Sequence, residues 1–198
     1  ATIAGDAARI LAGFDELDRL AKLESGALQP EEGSTDFTEV LNATIEQLTP
    51  YLRSRTGGIT LWNVEGALVV PIARDEAERL AWRILATLAG ALTAGEELDL
   101  HVALENGRGI FAIDLPAALT ERDDLFIAAP GGTAPALNAG MFGAGFTLRL
   151  ARAEARAIGG AVEREGDMLR LVLPLLTEAD ADHSQDIGDV GDGLANSL

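Results

Sequence analysis

The residues with the clearest capacity to bind a ligand are two glycines, Gly143 and Gly145, in the segment Gly140-Met-Phe-Gly-Ala-Gly-Phe-Thr-Leu. They precede a predicted helix over about 146–158, which ends at Gly159-Gly160. The free N–H groups and the dipole of a helix N-terminus favour an anion such as a phosphate. Two glycines at this spacing are equally typical of an ordinary loop before a helix, and both interpretations stay open.

The titratable side chains exclude several kinds of chemistry. The sequence has no cysteine and only two histidines, His101 and His183. Disulfides, thiolate zinc sites, cysteine nucleophiles and multi-histidine metal sites are therefore excluded, and a Ser-His-Asp triad would have to use one of these two histidines. His101 lies on the polar side of a predicted strand and is expected to be solvated. Asp114 ends the next strand, where it either binds a ligand or caps nearby amides.

The acidic tail contains a short pattern that resembles a calcium loop. Asp180, Asp182 and Ser184 have the spacing of its opening ligands. However, Gln185 stands where such a loop needs glycine, and Gly191 where it needs a bidentate glutamate. We expect no metal site here.

Other charged groups are expected to be surface charge. Arg149, Arg152 and Arg156 form a stripe on the predicted helix over 146–158, which either contacts a phosphate or an acidic partner, or is solvated. Asp123-Asp124 and Glu96-Glu97 have no neighbouring partners for paired acid–base chemistry. No catalytic residue is predicted.

The pattern of apolar residues predicts an α/β (α+β) two-layer sandwich, in which helices cover one face of a mixed sheet. Asp36 is the predicted N-cap of a helix, with Glu39 as its reciprocal cap and a buried face made by Phe37, Val40, Leu41, Ile45, Leu48 and Leu52. Leu98, Leu100, Val102 and Leu104 alternate with polar residues and predict a half-buried strand, which Asn106-Gly107 turns into a hairpin. The remaining predicted elements are two strands between 58 and 72, a helix over about 75–93, a loop over 116–142 and a hairpin over 161–165 and 168–173.

A long helix is predicted over about 2–28, ahead of this sandwich. Its apolar residues recur at alternating spacings of four and three, as in a coiled coil, at Ile3, Ala7, Ile10, Phe14, Leu17 and Ala21. Such a helix needs helical partners, from a second copy or from residues that precede Ala1, and we expect the chain to be part of something longer. The predicted domains are 1–28, 34–175 and an acidic flexible tail over 176–198.

Composition and charge limit the partners. The chain has 198 residues, a formal charge of −17 and a pI of about 4.3. An acidic surface disfavours nucleic acid and anionic membranes as partners. No apolar run approaches the roughly 18 residues of a membrane span, and the first residues do not form a signal peptide. We expect a cytoplasmic protein without direct membrane contact.

Both ends of the chain resemble one protein family. Gly143-Ala-Gly-Phe-Thr-Leu, the helix after it, Gly159-Gly160 and the closing hairpin are similar to the last glycine box and C-terminal strands of the GHKL-type ATP-binding domain of sensor histidine kinases. Arg19-Leu-Ala-Lys-Leu-Glu-Ser-Gly-Ala-Leu and Phe37-Thr-Glu-Val-Leu resemble the end of that family's dimerisation hairpin and its passage into the catalytic domain. The resemblance implies a homodimer through residues 3–21, a response-regulator receiver domain as partner, and ATP with Mg²⁺ as ligands.

The middle of the chain departs from the family pattern. Ala86 and Gly90 occupy the positions of two asparagines that serve the phosphates and Mg²⁺ in the family, and neither supplies the oxygen that a hard cation requires. Asp114 matches the aspartate that accepts from the adenine amino group. Leu115-Pro116-Ala117-Ala118 then stands where Asn-Gly-x-Gly is expected, and Pro116 removes a donor. No histidine precedes His101, so the family's phosphoacceptor is absent from this sequence.

Three hypotheses follow. The favoured one is a phosphorelay signalling module with a degenerate ATP site and no bound cofactor, in which the segment over 116–142 packs onto Ala86 and Gly90. The second is a working kinase domain that holds ATP through Asp114, Gly143 and Gly145. The third is a different α/β sandwich whose glycine box is coincidental.

Overall fold

The computed structural model describes residues 3–62, 66–127 and 142–176. Five helices and seven strands lie within these residues. The helices are α1 (Ile3–Glu24), α2 (Phe37–Ser54), α3 (Arg74–Ala91), α4 (Ala117–Thr120) and α5 (Gly143–Ala157). The strands are β1 (Thr35–Asp36), β2 (Gly58–Trp62), β3 (Val69–Val70), β4 (Glu97–Glu105), β5 (Arg108–Asp114), β6 (Ala161–Glu165) and β7 (Met168–Pro174).

Five strands form one mixed sheet in the order β2-β4-β5-β7-β6. β2 is parallel to β4, and the other neighbours are antiparallel. Leu100 lies opposite Ile113, and Phe111 lies opposite Leu171. These side chains pack on α2 and α3 in a single apolar core, which α5 also joins. The predicted mixed sheet with helices on one face is confirmed.

Two expectations about the strands are wrong. β3 does not pair with β2; it forms a separate two-stranded ladder with β1, in which Thr35 lies opposite Val70. Leu104 was predicted to lie on the buried face of its strand but is exposed, whereas Leu98, Leu100 and Val102 are buried. Leu104 is the last residue but one of β4, where the burial of alternate residues seen earlier in the strand has ended.

The start of α2 follows the predicted cap in part. The Asp36 carboxylate accepts from the backbone N–H groups of Thr38 at 3.0 Å and Glu39 at 3.4 Å, as expected of an N-cap. The predicted reciprocal bond from Glu39 is not seen. Its carboxylate lies instead 3.5 Å from the guanidinium of Arg74, the first residue of α3. The first turn of α2 is thereby linked to the helix beside it.

Helix α1 packs on the outer side of α5. It ends at Glu24, and Gly26 has a φ of +73°, a conformation that glycine adopts without strain. Leu20 and Leu23 form a small second core with α5, whose members there are Phe146, Leu150 and Ala153. The residues of the predicted coiled-coil stripe are largely exposed. The exposed fractions are 46% for Ile10, 61% for Phe14 and 38% for Leu17, and the neighbouring Leu11 is 64% exposed.

Candidate functional site

The candidate site consists of the positions that the sequence assigns to a nucleotide: Ala86 and Gly90 on α3, Asp114 at the end of β5, and Gly143 and Gly145 at the start of α5. Ala86 and Gly90 are one helical turn apart on α3. Ala86 is 2% exposed and belongs to the main apolar core, while Gly90 is half-buried. No oxygen donor therefore projects from these two positions.

Asp114 is on the other face of the sheet. Phe111 and Ile113 line a small cavity of about 10 Å³ together with α2 and α3 residues, so these two side chains face the helices. Because side chains alternate along a strand, Asp114 lies on the opposite face. Its carboxylate accepts from the backbone N–H of Asp99 at 3.2 Å. The structure does not bring Asp114 together with Ala86.

Buried apolar side chains follow Asp114 in the chain, directly after β5. Leu115, Leu119 and Leu125 are all buried, and they belong to the same core as Ala86. Pro116 is buried as well. The sequence reasoning did not single out these leucines, although the spacing of four between Leu115 and Leu119 is the helical pattern that indicates a buried face.

Polar contacts fix the segment that carries these leucines. The carboxylate of Glu96 accepts from the backbone N–H groups of Ala117 at 2.7 Å and Thr93 at 2.9 Å, and from the Thr93 hydroxyl. Burial acts to raise the pKa of Glu96, but these hydrogen bonds outweigh it and hold the pKa below its usual value. The turn after α3 is thus joined to α4 by an ionised carboxylate.

A second contact joins the segment to the closing hairpin. The Arg164 guanidinium donates to the carbonyl of Thr120 at 2.8 Å and to that of Arg122. The backbone N–H of Leu115 donates to the Asp167 carbonyl at 2.8 Å. The part of this segment over 115–122 is therefore anchored by residues outside it. The rest of the predicted loop, over 128–141, lies outside the described residues.

The glycines at the start of α5 have a backbone role. Gly143 is the first residue of the helix and has a φ of +80°, which disfavours any residue with a Cβ. Gly145 is buried. The Thr147 hydroxyl donates to the Gly143 carbonyl at 3.2 Å. Gly143 is thus explained by chain geometry, and the N-terminus of α5 retains the positive end of the helix dipole.

The arginine stripe of α5 makes contacts within the chain. Arg149 forms a bidentate pair with Glu24 of α1, with both N–O distances 2.8 Å. The Arg152 guanidinium lies 4.0 Å from the centre of the Phe126 ring. Burial, and secondarily the charge of Arg156, lower the pKa of Arg152. Two of the three arginines, Arg149 and Arg152, thus contact other residues of this chain.

The histidines offer no catalytic arrangement in the part that the structure describes. His101 is exposed on the open face of the sheet and stacks on Trp62, with ring centres 6.4 Å apart. His183 and the calcium-like pattern at 180–191 lie outside the described residues. Within residues 3–62, 66–127 and 142–176, no group of three or more histidine or carboxylate side chains is placed to hold a metal ion.

The structure also has an opening that is larger than the cavity beside Phe111 and Ile113. An open groove of about 310 Å³ runs between α2 and α3. Its walls are Val40, Ala43, Thr44, Gln47, Asp75, Glu78, Arg79 and Trp82, and no strand contributes to them. This groove therefore opens on the helix layer and does not include Ala86, Gly143 or Gly145.

Comparison with solved structures identifies the architecture. Histidine kinase AdeS of Acinetobacter baumannii superposes with a TM-score of 0.58 at 15% identity, over 83% of this chain and 77% of AdeS. The chain has the fold of a histidine kinase catalytic domain. The catalytic domain of histidine kinase ThkA gives a TM-score of 0.55 at 14% identity, over 73% of this chain and 96% of that domain. Full-length ShkA, solved in complex with AMPPNP, gives 0.61 at 17% identity, over 85% of this chain and 36% of ShkA.

Of the comparisons with known proteins, the one with solved structures finds matches. No family model matches the sequence, and no curated protein does. Among the described residues, no helix is both long and apolar enough to cross a membrane. Because fold does not determine activity, the chemistry of the histidine kinase-like site must be judged from the side chains that this chain places there.

Proposed function

We propose that this chain is a histidine kinase-like signalling module of a two-component system whose nucleotide site is degenerate. One observation carries the proposal: Leu115, Leu119 and Leu125, which follow β5 in the chain, are buried in the same apolar core as Ala86. Magnesium ions need oxygen ligands in near-octahedral geometry. A methyl group and three leucines supply none, and in this proposal their packing leaves no room for a nucleotide.

The position of Asp114 supports the same proposal. A nucleotide between α3 and the sheet would be on the face opposite to its carboxylate, which already accepts from Asp99. Even if the carboxylate of Asp114 could reach the nucleotide, one charge-assisted hydrogen bond contributes about 1.5–3 kcal/mol. Millimolar affinity requires about 4 kcal/mol. Asp114 alone would therefore give negligible nucleotide binding.

The module would act through protein contacts. The exposed apolar face of α1, formed by Ile10, Leu11, Phe14 and Leu17, suits a homodimer in which two copies bury these residues against each other. The catalytic-type domain would then present a docking surface for the receiver domain of a response regulator. In this proposal the fold is retained as a scaffold, without ATP or Mg²⁺.

One observation favours the alternative, a divergent but active ATP-binding kinase domain. α5 begins at Gly143, where a Cβ would meet none of the described residues within 4 Å. Helix N-termini of this kind bind phosphates. ShkA has the same fold and was solved with a nucleotide analogue.

Isothermal titration calorimetry with Mg-ATP and Mg-ADP distinguishes the two functions. We expect a dissociation constant weaker than about 100 μM, equivalent to less than about 5.5 kcal/mol. ShkA titrated with Mg-AMPPNP serves as the positive control. Tighter binding that Asp114→Asn abolishes would support the active kinase, whereas tighter binding that survives the substitution would refute the degenerate site and leave Asp114 outside it.

A further inference from the structure

Three helices meet in a cluster of six charged side chains. Its members are Glu16 and Arg19 from α1, Glu76, Arg79 and Arg83 from α3, and Glu154 from α5. Three positive and three negative charges balance within it. We refer to these six residues as the ionic cluster. It joins α1 to two helices that lie 57 to 135 positions away from it in the sequence.

Glu154 is the centre of the ionic cluster. Its carboxylate accepts from Arg19 of α1 at 2.6 Å and pairs with Arg83 of α3 at 3.1 Å. The side chain of Glu154 is only 5% exposed, and that of Arg83 only 10%. Arg83 reaches back to Glu16 of α1 at 2.8 Å, and Arg19 also pairs with Glu76. Each helix is thus bound to both of the others.

The acidic partners of Arg19 stabilise its charged form. Burial acts to lower the pKa of Arg19, but hydrogen bonds to Glu154 and Glu76, and their charges, raise it above its ordinary value. Removing one member of such a buried set leaves its partners desolvated and unpaired, which is the costly way to break it.

Among the side chains of α1 that the structure describes, those held by the domain lie in the C-terminal half of the helix. Gly13, Leu20 and Leu23 are buried, and the two leucines meet α5 in the small second core. The described side chains before Gly13 are exposed. Within the described residues, the ionic cluster, the Arg149–Glu24 pair and a few apolar contacts therefore attach this helix to the domain.

An ionic attachment has a different consequence from an apolar one. When charged groups separate they regain hydration, so the charged surfaces of α1, α3 and α5 tolerate water once released, and the apolar surface that becomes exposed is that of the small second core. Elements with few buried apolar contacts open locally at a lower free energy than the central sheet does. This combination is typical of an element that can leave its site without unfolding the domain.

We propose that the ionic cluster is a latch between α1 and the α/β domain. It holds α1 in one position while closed, and when opened it releases α1 as a unit from the folded domain. A movement of α1 is thereby coupled to α3 and α5, the helices that carry Ala86 and Gly143. The latch is independent of nucleotide binding, so calorimetry with Mg-ATP does not bear on it.

Hydrogen exchange measured by mass spectrometry tests the latch. In Glu154→Gln, amides within residues 13–24 of α1 are expected to exchange at least tenfold faster than in the unsubstituted chain, while those of β4 keep their rates. Glu24→Gln is the matched control, because it removes the Arg149 pair between the same two helices at an exposed site. It should leave α1 protection within about twofold, as surface pairs contribute little.

Two results would overturn the latch. Unchanged α1 exchange in Glu154→Gln would mean that the ionic cluster does not hold the helix. Equal acceleration in α1 and β4 would mean that α1 opens only with the whole domain. If Glu154→Gln does not fold, Glu16→Gln is measured instead, because it removes one α1 partner of Arg83 and keeps the pairs of Glu154. Unchanged α1 exchange, or equal acceleration in α1 and β4, would overturn the latch in this variant as well.

Discussion

Leu125→Ala is expected to lower the free energy of unfolding by about 3 kcal/mol. Leu125 is 1% exposed and lies in the core that contains Ala86. Truncation removes the buried carbon atoms Cγ, Cδ1 and Cδ2 and leaves a cavity, which the preceding residues cannot readily close because Glu96 and Arg164 hold them in place. Urea unfolding followed by circular dichroism measures the change.

Ile127→Ala is the matched control for Leu125→Ala. Ile127 is two residues further along the same segment and is 62% exposed. Its truncation should change the stability by less than about 0.5 kcal/mol. If Leu125→Ala lowered the free energy of unfolding as little as Ile127→Ala does, the segment would not pack on the core. That result would remove the main support for a filled nucleotide site.

Phe14→Glu is expected to convert a dimer to a monomer. Phe14 is at the centre of the exposed apolar face of α1, and a second copy would place a like carboxylate opposite it in a desolvated contact. The dissociation constant of the dimer should rise at least about 100-fold, equivalent to about 2.7 kcal/mol. Sedimentation velocity over a concentration series measures it.

Ala12→Glu controls for the added charge. Ala12 is exposed and is two residues from Phe14, which places it on the other side of the helix. This variant should dimerise like the unsubstituted chain. A dimer that survives Phe14→Glu, or a chain that is monomeric without substitution at about 100 μM, would contradict the proposed contact through α1.

Local signals in the sequence predicted much of the fold. Asn106-Gly107 places the turn between β4 and β5, and Asn106 has the positive φ of 50° that this turn uses. Asp36 caps α2 as expected. Such features depend on neighbouring residues, which the sequence displays directly. The order of helices and strands then restricted the architecture to a layered α/β domain.

Features that depend on distant residues could not be read in the same way. The pairing of β1 with β3 joins Thr35 to Val70, and two-residue strands carry no periodic pattern. The face that Asp114 occupies was also hidden, because Ile110 and Phe111 are adjacent and both buried. Alternation is ambiguous in such a run, and the residue type alone suggested a ligand-binding aspartate.

The ionic cluster was hidden for the same reason. Arg19 and Glu154 are 135 positions apart, and each alone is typical of a solvated helix face. Leu20 is buried against α5, whereas Ile10, Phe14 and Leu17 of the coiled-coil stripe are exposed. The packing of α1 follows from charge pairs that only the folded chain brings together.

The central claim is that apolar side chains occupy the place of the nucleotide, and amide chemical shifts test it at those residues. ¹H–¹⁵N spectra of the labelled chain are recorded with and without 5 mM Mg-AMPPNP. We expect the amides of Ala86, Gly90, Leu115 and Leu125 to keep their positions. Saturable shifts concentrated at these residues and at Gly143 would contradict the claim, because they would place a nucleotide between α3 and α5.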